Sequence, residues 1–192
     1  WQTGADAPAV RRGEDIIASR LLGALPVHFP IPECIYRLSP DDGQPLIKTN
    51  EELFQPLPES EKPLVTEAAR MISFRLNAND WLVSPLAIGG HIDHHLVRNA
   101  AESLQRGLYY YGDYPYLALA GNRLGGQIDP HWLTFDQPVS PRAMESWKRA
   151  VAAYRTQIST FWASPGEMRR ALQEFRDLGG GSRLWFPAAA PG

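Results

Sequence analysis

Residues 81–111 read WLVSPLAIGGHIDHHLVRNAAESLQRGLYYY. Two short apolar runs enclose a glycine-containing loop and a helical pattern. Trp81, Leu82 and Val83 suit a buried strand, and Leu108 to Tyr111 suit a second. Pro85 to Gly90 read as a flexible loop. From Asp93 onward Leu96, Val97, Ala100 and Leu104 recur on one helical face, and Gly107 ends the pattern. Strand, loop, helix and strand in this order predict an α/β layer with parallel strands. In such sheets, sites gather beyond the carboxyl ends of the strands, which is where Gly89 to His95 fall.

On the N-terminal side, residues 60–77 predict a long helix with Leu64, Ala68, Met71, Ile72 and Phe74 to Leu76 on its buried side. Asn77 to Asp80 stop it. Residues 38–57 are polar and turn-rich and predict an exposed excursion. Pro26 to Ile31 is a short apolar run, read as a strand. Residues 7–23 predict a helix that ends at Gly23. On the C-terminal side, residues 112–139 read as a long loop. Ser140-Pro141 starts a helix along which Trp147, Val151, Tyr154, Ile158 and Phe161 are spaced. Ser164 to Glu167 form a capping box for a last helix, which Gly179 to Gly181 end.

Composition bounds the function. The chain has 192 residues, of which 44% are hydrophobic and 21% charged, so it can build a core. Nineteen Lys and Arg against 21 Asp and Glu leave a net charge of −2, which argues against a nucleic-acid or membrane-surface binder. A single cysteine, Cys34, rules out an intrachain disulfide and is compatible with a reducing, cytoplasmic setting. It reads as a buried small hydrophobe. No Gly-x-Gly-x-x-Gly precedes a helix, so no dinucleotide site is expected.

The chemistry concentrates in Gly89-Gly90-His91-Ile92-Asp93-His94-His95. Three of the chain's five histidines lie in five residues. Two imidazoles three residues apart can face one point where a loop enters a helix. Imidazole is a good zinc ligand, and a neighbouring carboxylate can fix its tautomer. The same residues also suit a plain structural role, with Asp93 as an N-cap and the histidines solvated in the first turn. Glu33 and the aromatic run Tyr109 to Tyr116 are candidate substrate contacts or, equally, a loop acid and core. His28 reads as a strand-end histidine with a structural hydrogen bond, and Arg98 and Arg106 as helix-surface charges.

Gly-Gly-His-Ile-Asp-His-His-Leu-Val-Arg resembles the His-x-Asp-His signature of the PIG-L/LmbE-like zinc-dependent N-deacetylases. Arg12 to Gly23 resembles that family's Arg-x-x-Glu helix. Tyr110 to Tyr116 resembles its Tyr-Glu-Asp-x-Pro-Tyr segment, and Lys148 to Phe161 a later helix. Leu184-Trp185 resembles the common ending. The resemblance spans most of the chain in the right order.

It implies a Rossmann-like three-layer α/β domain with a mostly parallel sheet, over residues 1–192. It implies a metal-dependent hydrolase that removes an N-acetyl group from an amino-sugar conjugate or related small molecule. Zn2+ is the implied cofactor, and another divalent metal fits the same donors. His94 lands on the family's metal-binding His, His91 on its acid or oxyanion partner, and Asp93 on the residue that orients His91. Glu33 and Tyr111 fall where substrate contacts are expected.

One family motif has no counterpart. Ala-His-Pro-Asp-Asp, which supplies two further zinc ligands and the general base, does not occur. Ser39-Pro40-Asp41-Asp42 lacks the His and reads as turn chemistry. The family's first strand, helix and second strand are therefore expected upstream of Trp1. The alternative is a non-catalytic or truncated deacetylase-like protein without the complete zinc site.

Overall fold

A computed structural model of the chain describes residues 6–120, 128–178 and 180–188. It divides into two compact units. One contains residues 1–28 and 137–182, and the other residues 29–136 and 183–192.

The second unit carries the sheet. Its elements are α2 (Lys62–Arg75), β1 (Leu82–Pro85), α3 (Ile92–Ser103), β2 (Leu108–Tyr111), α4 (Tyr116–Ala120), β3 (Leu133–Asp136) and β4 (Arg183–Phe186). The strand order is β1-β2-β4-β3. β1 and β2 pair in parallel, with Leu82 opposite Leu108, and α3 is the crossover between them. The α/β class is therefore as expected. β4 pairs antiparallel with both β2 and β3, so the sheet is mixed where a mostly parallel one was expected. β3 lies in the stretch read as loop.

One face of the sheet holds Ser84, Leu108, Tyr110 and Trp185, all buried. The other holds Val83, Tyr111, Leu133 and Phe135, which keep large exposed fractions. Alternation along a strand sends neighbours to opposite faces, so the 81–83 run is only half covered. Trp81 is 63% exposed and stacks on Tyr109 at 5.0 Å between ring centroids.

α2 packs on α3 through Ala68, Ala69, Leu96 and Ala100, with Ile31, Leu57, Leu64 and Ile72 around them. Small residues at the contact let the two helices approach closely. Phe74, assigned above to the buried side, is 85% exposed. Asp80 accepts from the Asn77 N–H at 2.8 Å, which fixes the turn after α2. Arg106 donates to the Asn77 and Ala78 carbonyls, each at 2.8 Å, and so holds that turn. Arg98 donates to the Leu86 carbonyl at 2.9 Å and lies over the Tyr110 ring. Neither arginine is merely a surface charge.

The first unit is helical: α1 (Ala7–Leu22), α5 (Pro141–Val151), α6 (Arg155–Phe161) and α7 (Pro165–Asp177). Gly23 adopts φ 71°, and its N–H reaches the Arg20 carbonyl, the left-handed ending that glycine permits. Ser164 Oγ accepts from the Glu167 N–H at 3.2 Å, as the capping box predicts. Pro26 to Ile31 forms no strand: Pro26 and Pro30 lack the N–H a ladder needs.

The helix expected to run from 141 to 161 breaks after Val151. The Glu14 carboxylate accepts from the Thr156 N–H at 2.9 Å and from its hydroxyl at 2.7 Å. That side chain, on α1, caps a new helix start at α6. Beside it Asp15 accepts from the Tyr154 hydroxyl and contacts His28 Nε2, both at 2.6 Å. Glu14→Ala strands both Thr156 donors and is expected to cost ~1–3 kcal/mol. Thr156→Ser, which keeps both donors, is expected to leave the denaturation midpoint nearly unchanged.

Candidate functional site

The loop after β1 turns sharply before the histidines. Ala87 has φ 57° and Gly90 φ 73°. A Cβ on Gly89 would fall 2.2 Å from the Tyr116 ring, so glycine is required there by close approach. The His91 ring acts as the N-cap of α3: its Nδ1 accepts from the Asp93 N–H at 3.2 Å. Sequence reading had given that role to Asp93.

His91 and His94 come together, with ring centroids 5.2 Å apart. Phe54 stands edge-on to His91 at 5.9 Å, and Tyr116 edge-on to His94 at 6.2 Å. The histidines thus sit in an aromatic frame. Burial holds the His91 ring below its ordinary value, with the Asp93 charge opposing that effect. His95 is likewise lowered by burial and by Arg98.

Each of the two principal carboxylates has a distinct partner. Asp93 Oδ1 accepts from Arg37 Nη1 at 2.7 Å, and Oδ2 from the Cys34 N–H at 3.0 Å. It therefore reaches His91 through its backbone, while its carboxylate serves Arg37. Arg37 is 6% exposed and also meets Glu61, 3% exposed, at 2.8 Å. Asp113, 1% exposed, lies 2.8 Å from His94 Nδ1 and accepts from the Ile88 N–H at 3.2 Å. A buried carboxylate behind an imidazole orients the ring and leaves Nε2 as the nitrogen it does not face. Asp113 was missed in the sequence because it follows a different strand. Its only signal was its place in the Tyr110–Tyr116 segment.

Glu33 immediately precedes the short turn Cys34–Tyr36, and its charge acts on His91. Tyr111 ends β2, two residues before Asp113. Burial and the Asp113 charge push its phenol up to about 12. The other two histidines have partners of their own: His28 meets Asp15, and the His131 N–H binds Asp129. Ser39 to Gly43 is a turn, closed by the Gly43 N–H on the Ser39 carbonyl at 2.8 Å.

The donor set can be weighed against a catalytic zinc, which takes three protein ligands. His94, braced by Asp113, has the chemistry of one. Among the described residues, the group of three metal-ligating side chains is Cys34, His91 and Asp93, and it does not include His94. These residues therefore fit one arm of a His94-centred zinc site.

The fold also appears among solved structures. Comparison with protein-family models and with curated proteins finds no match. Among solved structures, the zinc-inhibited form of teicoplanin deacetylase Orf2 aligns at a TM-score of 0.74 and 26% identity, over 94% of this chain and 74% of that one. A triple mutant of the deacetylase Orf2, from the teicoplanin biosynthetic pathway, aligns at 0.65 and 21%, over 94% and 71%. The chain is thus built like a deacetylase.

Two measurements test this geometry. Burial pushes the Cys34 thiol up to about 12, and Asp93 adds to the rise. Native protein at pH 8 is therefore expected to resist iodoacetamide, while urea-unfolded protein reacts. Gly89→Ala is expected to destabilise by ~1–3 kcal/mol through overpacking. Tyr116→Ala in the same chain should recover part of that loss, as a double-mutant cycle would show.

Proposed function

We propose that this chain is a metal-dependent amide hydrolase of the PIG-L/LmbE-like kind, removing an N-acetyl group from an amino-sugar conjugate. The observation that carries the reading is His94. It is braced by the buried Asp113 carboxylate and stands beside His91 in a fold shared with a deacetylase. His94 would hold the metal through Nε2. The metal, when bound, lowers the pKa of a water and polarises the amide carbonyl. Zinc is the first candidate, in keeping with the zinc-inhibited Orf2 structure.

The other roles follow from the same contacts. With the Asp93 N–H on Nδ1, the His91 proton resides on Nε2. An N–H donor held in an aromatic frame suits the oxyanion of a tetrahedral intermediate. Asp93 positions that ring through its N–H while Arg37 and Cys34 hold its carboxylate. Glu33 and Tyr111 are assigned to substrate contact, an acid and a phenol for the hydroxyl and amide groups of a sugar.

A second reading is a deacetylase-like binding protein without turnover. It is favoured by one fact: no three-ligand group among the described residues includes His94.

Zinc content and N-acetyl release from an N-acetylglucosaminyl glycoside separate the two. For the enzyme, His94→Ala is expected to lose the metal that supports turnover, and activity with it, and His91→Ala to keep that metal while losing most turnover. Asp93→Asn should retain metal and slow turnover by about 10–100-fold. Protein that takes up no zinc and releases no acetate supports the second reading.

A further inference from the structure

We infer that Cys34, His91 and Asp93 form a binding site for a thiophilic divalent cation, separate from His94. The ligand atoms of these three side chains lie within 4.8 Å of one another. Ligands around a tetrahedral zinc, with bonds of roughly 2.0–2.3 Å, stand about 3–4 Å apart, so a small inward movement of the side chains closes the set. Thiolate, imidazole and carboxylate together select soft or borderline ions such as cadmium and zinc over magnesium or calcium.

Two features of the surroundings favour occupancy. Cys34 is 1% exposed, but the Asp93 side chain keeps 25% of its surface, so the ion has a way in. The charges also balance. Arg37 is shared between Glu61 and Asp93, so one guanidinium faces two carboxylates and the group keeps a net negative charge. On binding, the Cys34 S–H bond breaks, a sulfur–metal bond forms, and the proton goes to solvent. The divalent cation then matches the new thiolate and Asp93 together. Arg37 retains Glu61 as its partner while Asp93 turns to the ion.

Occupancy would withdraw His91 and Asp93 from any reaction at His94. That consequence rests on the proposed function, but the binding does not.

Cadmium chloride titrated into the intact chain tests it. The sulfur-to-cadmium charge-transfer band in the ultraviolet reports Cys34 alone, because the chain has a single cysteine. The band is expected in the folded wild type, with release of a proton, and with a higher melting temperature in cadmium. It should vanish in Cys34→Ser. Affinity should fall about 10-fold or more in His91→Ala and stay unchanged in His94→Ala. Absence of the band in folded wild type overturns the inference. So does a band that His91→Ala leaves as tight as before, or one that His94→Ala abolishes. Because the readout is spectroscopic, failure of binding is distinct from failure of the deacetylase reading, which zinc uptake and acetate release decide.

Discussion

The Arg37 guanidinium is the constraint around which the second unit is arranged. It is nearly buried, and it touches Glu61 at the start of α2, Asp93 in the first turn of α3 and the Pro32 carbonyl. A buried charge is tolerated only when paired and hydrogen-bonded, so these segments hold their places together or lose the pairing. Removing one partner of such a group leaves the others uncompensated in a dry setting. Arg37 thereby fixes the face of α3 that His91 and His94 present. It also fixes the Cys34–Tyr36 turn, because the Asp93 oxygen it does not hold takes the Cys34 N–H.

Two histidines three residues apart on one helix are thus given different surroundings. His94 has a fully buried carboxylate at its back, whereas His91 has a backbone N–H at Nδ1 and an aromatic edge at its side. One imidazole is oriented by a carboxylate at Nδ1, the other by a backbone N–H that fixes its tautomer. Like residues are thereby set in unlike environments.

The legible parts of the sequence were those where the local pattern carries the physics. Apolar spacing and caps marked α1, α2, α3 and α7, and the histidine cluster announced itself by crowding. What stayed hidden depended on distant partners. Asp113 acquires meaning only beside His94, and Arg37 only between Glu61 and Asp93. The break between α5 and α6 is set by Glu14, far away in sequence, and the helical spacing of Trp147 to Phe161 runs through it. β3 was invisible for another reason. Its residues, Leu133–Asp136, are all exposed, so burial imposed no alternation to read.

The Glu14–Thr156 pair also bears on the order of events during synthesis. α1 precedes the other described elements, yet its partners in the first unit lie beyond residue 136. The intervening stretch 29–136 makes up most of the other unit, whose α2, α3, β1 and β2 contacts are comparatively local. Closing so long a loop early is entropically costly, while neighbouring elements can associate sooner. The sheet unit is therefore placed to assemble first, with β4 added late. α1, whose Ala7, Glu14 and Ala18 are buried in the folded protein, waits for α5 and α6 to be made. Until then the Glu14 carboxylate lacks its Thr156 partner, so the two sequence-distant parts of this unit close in one late step.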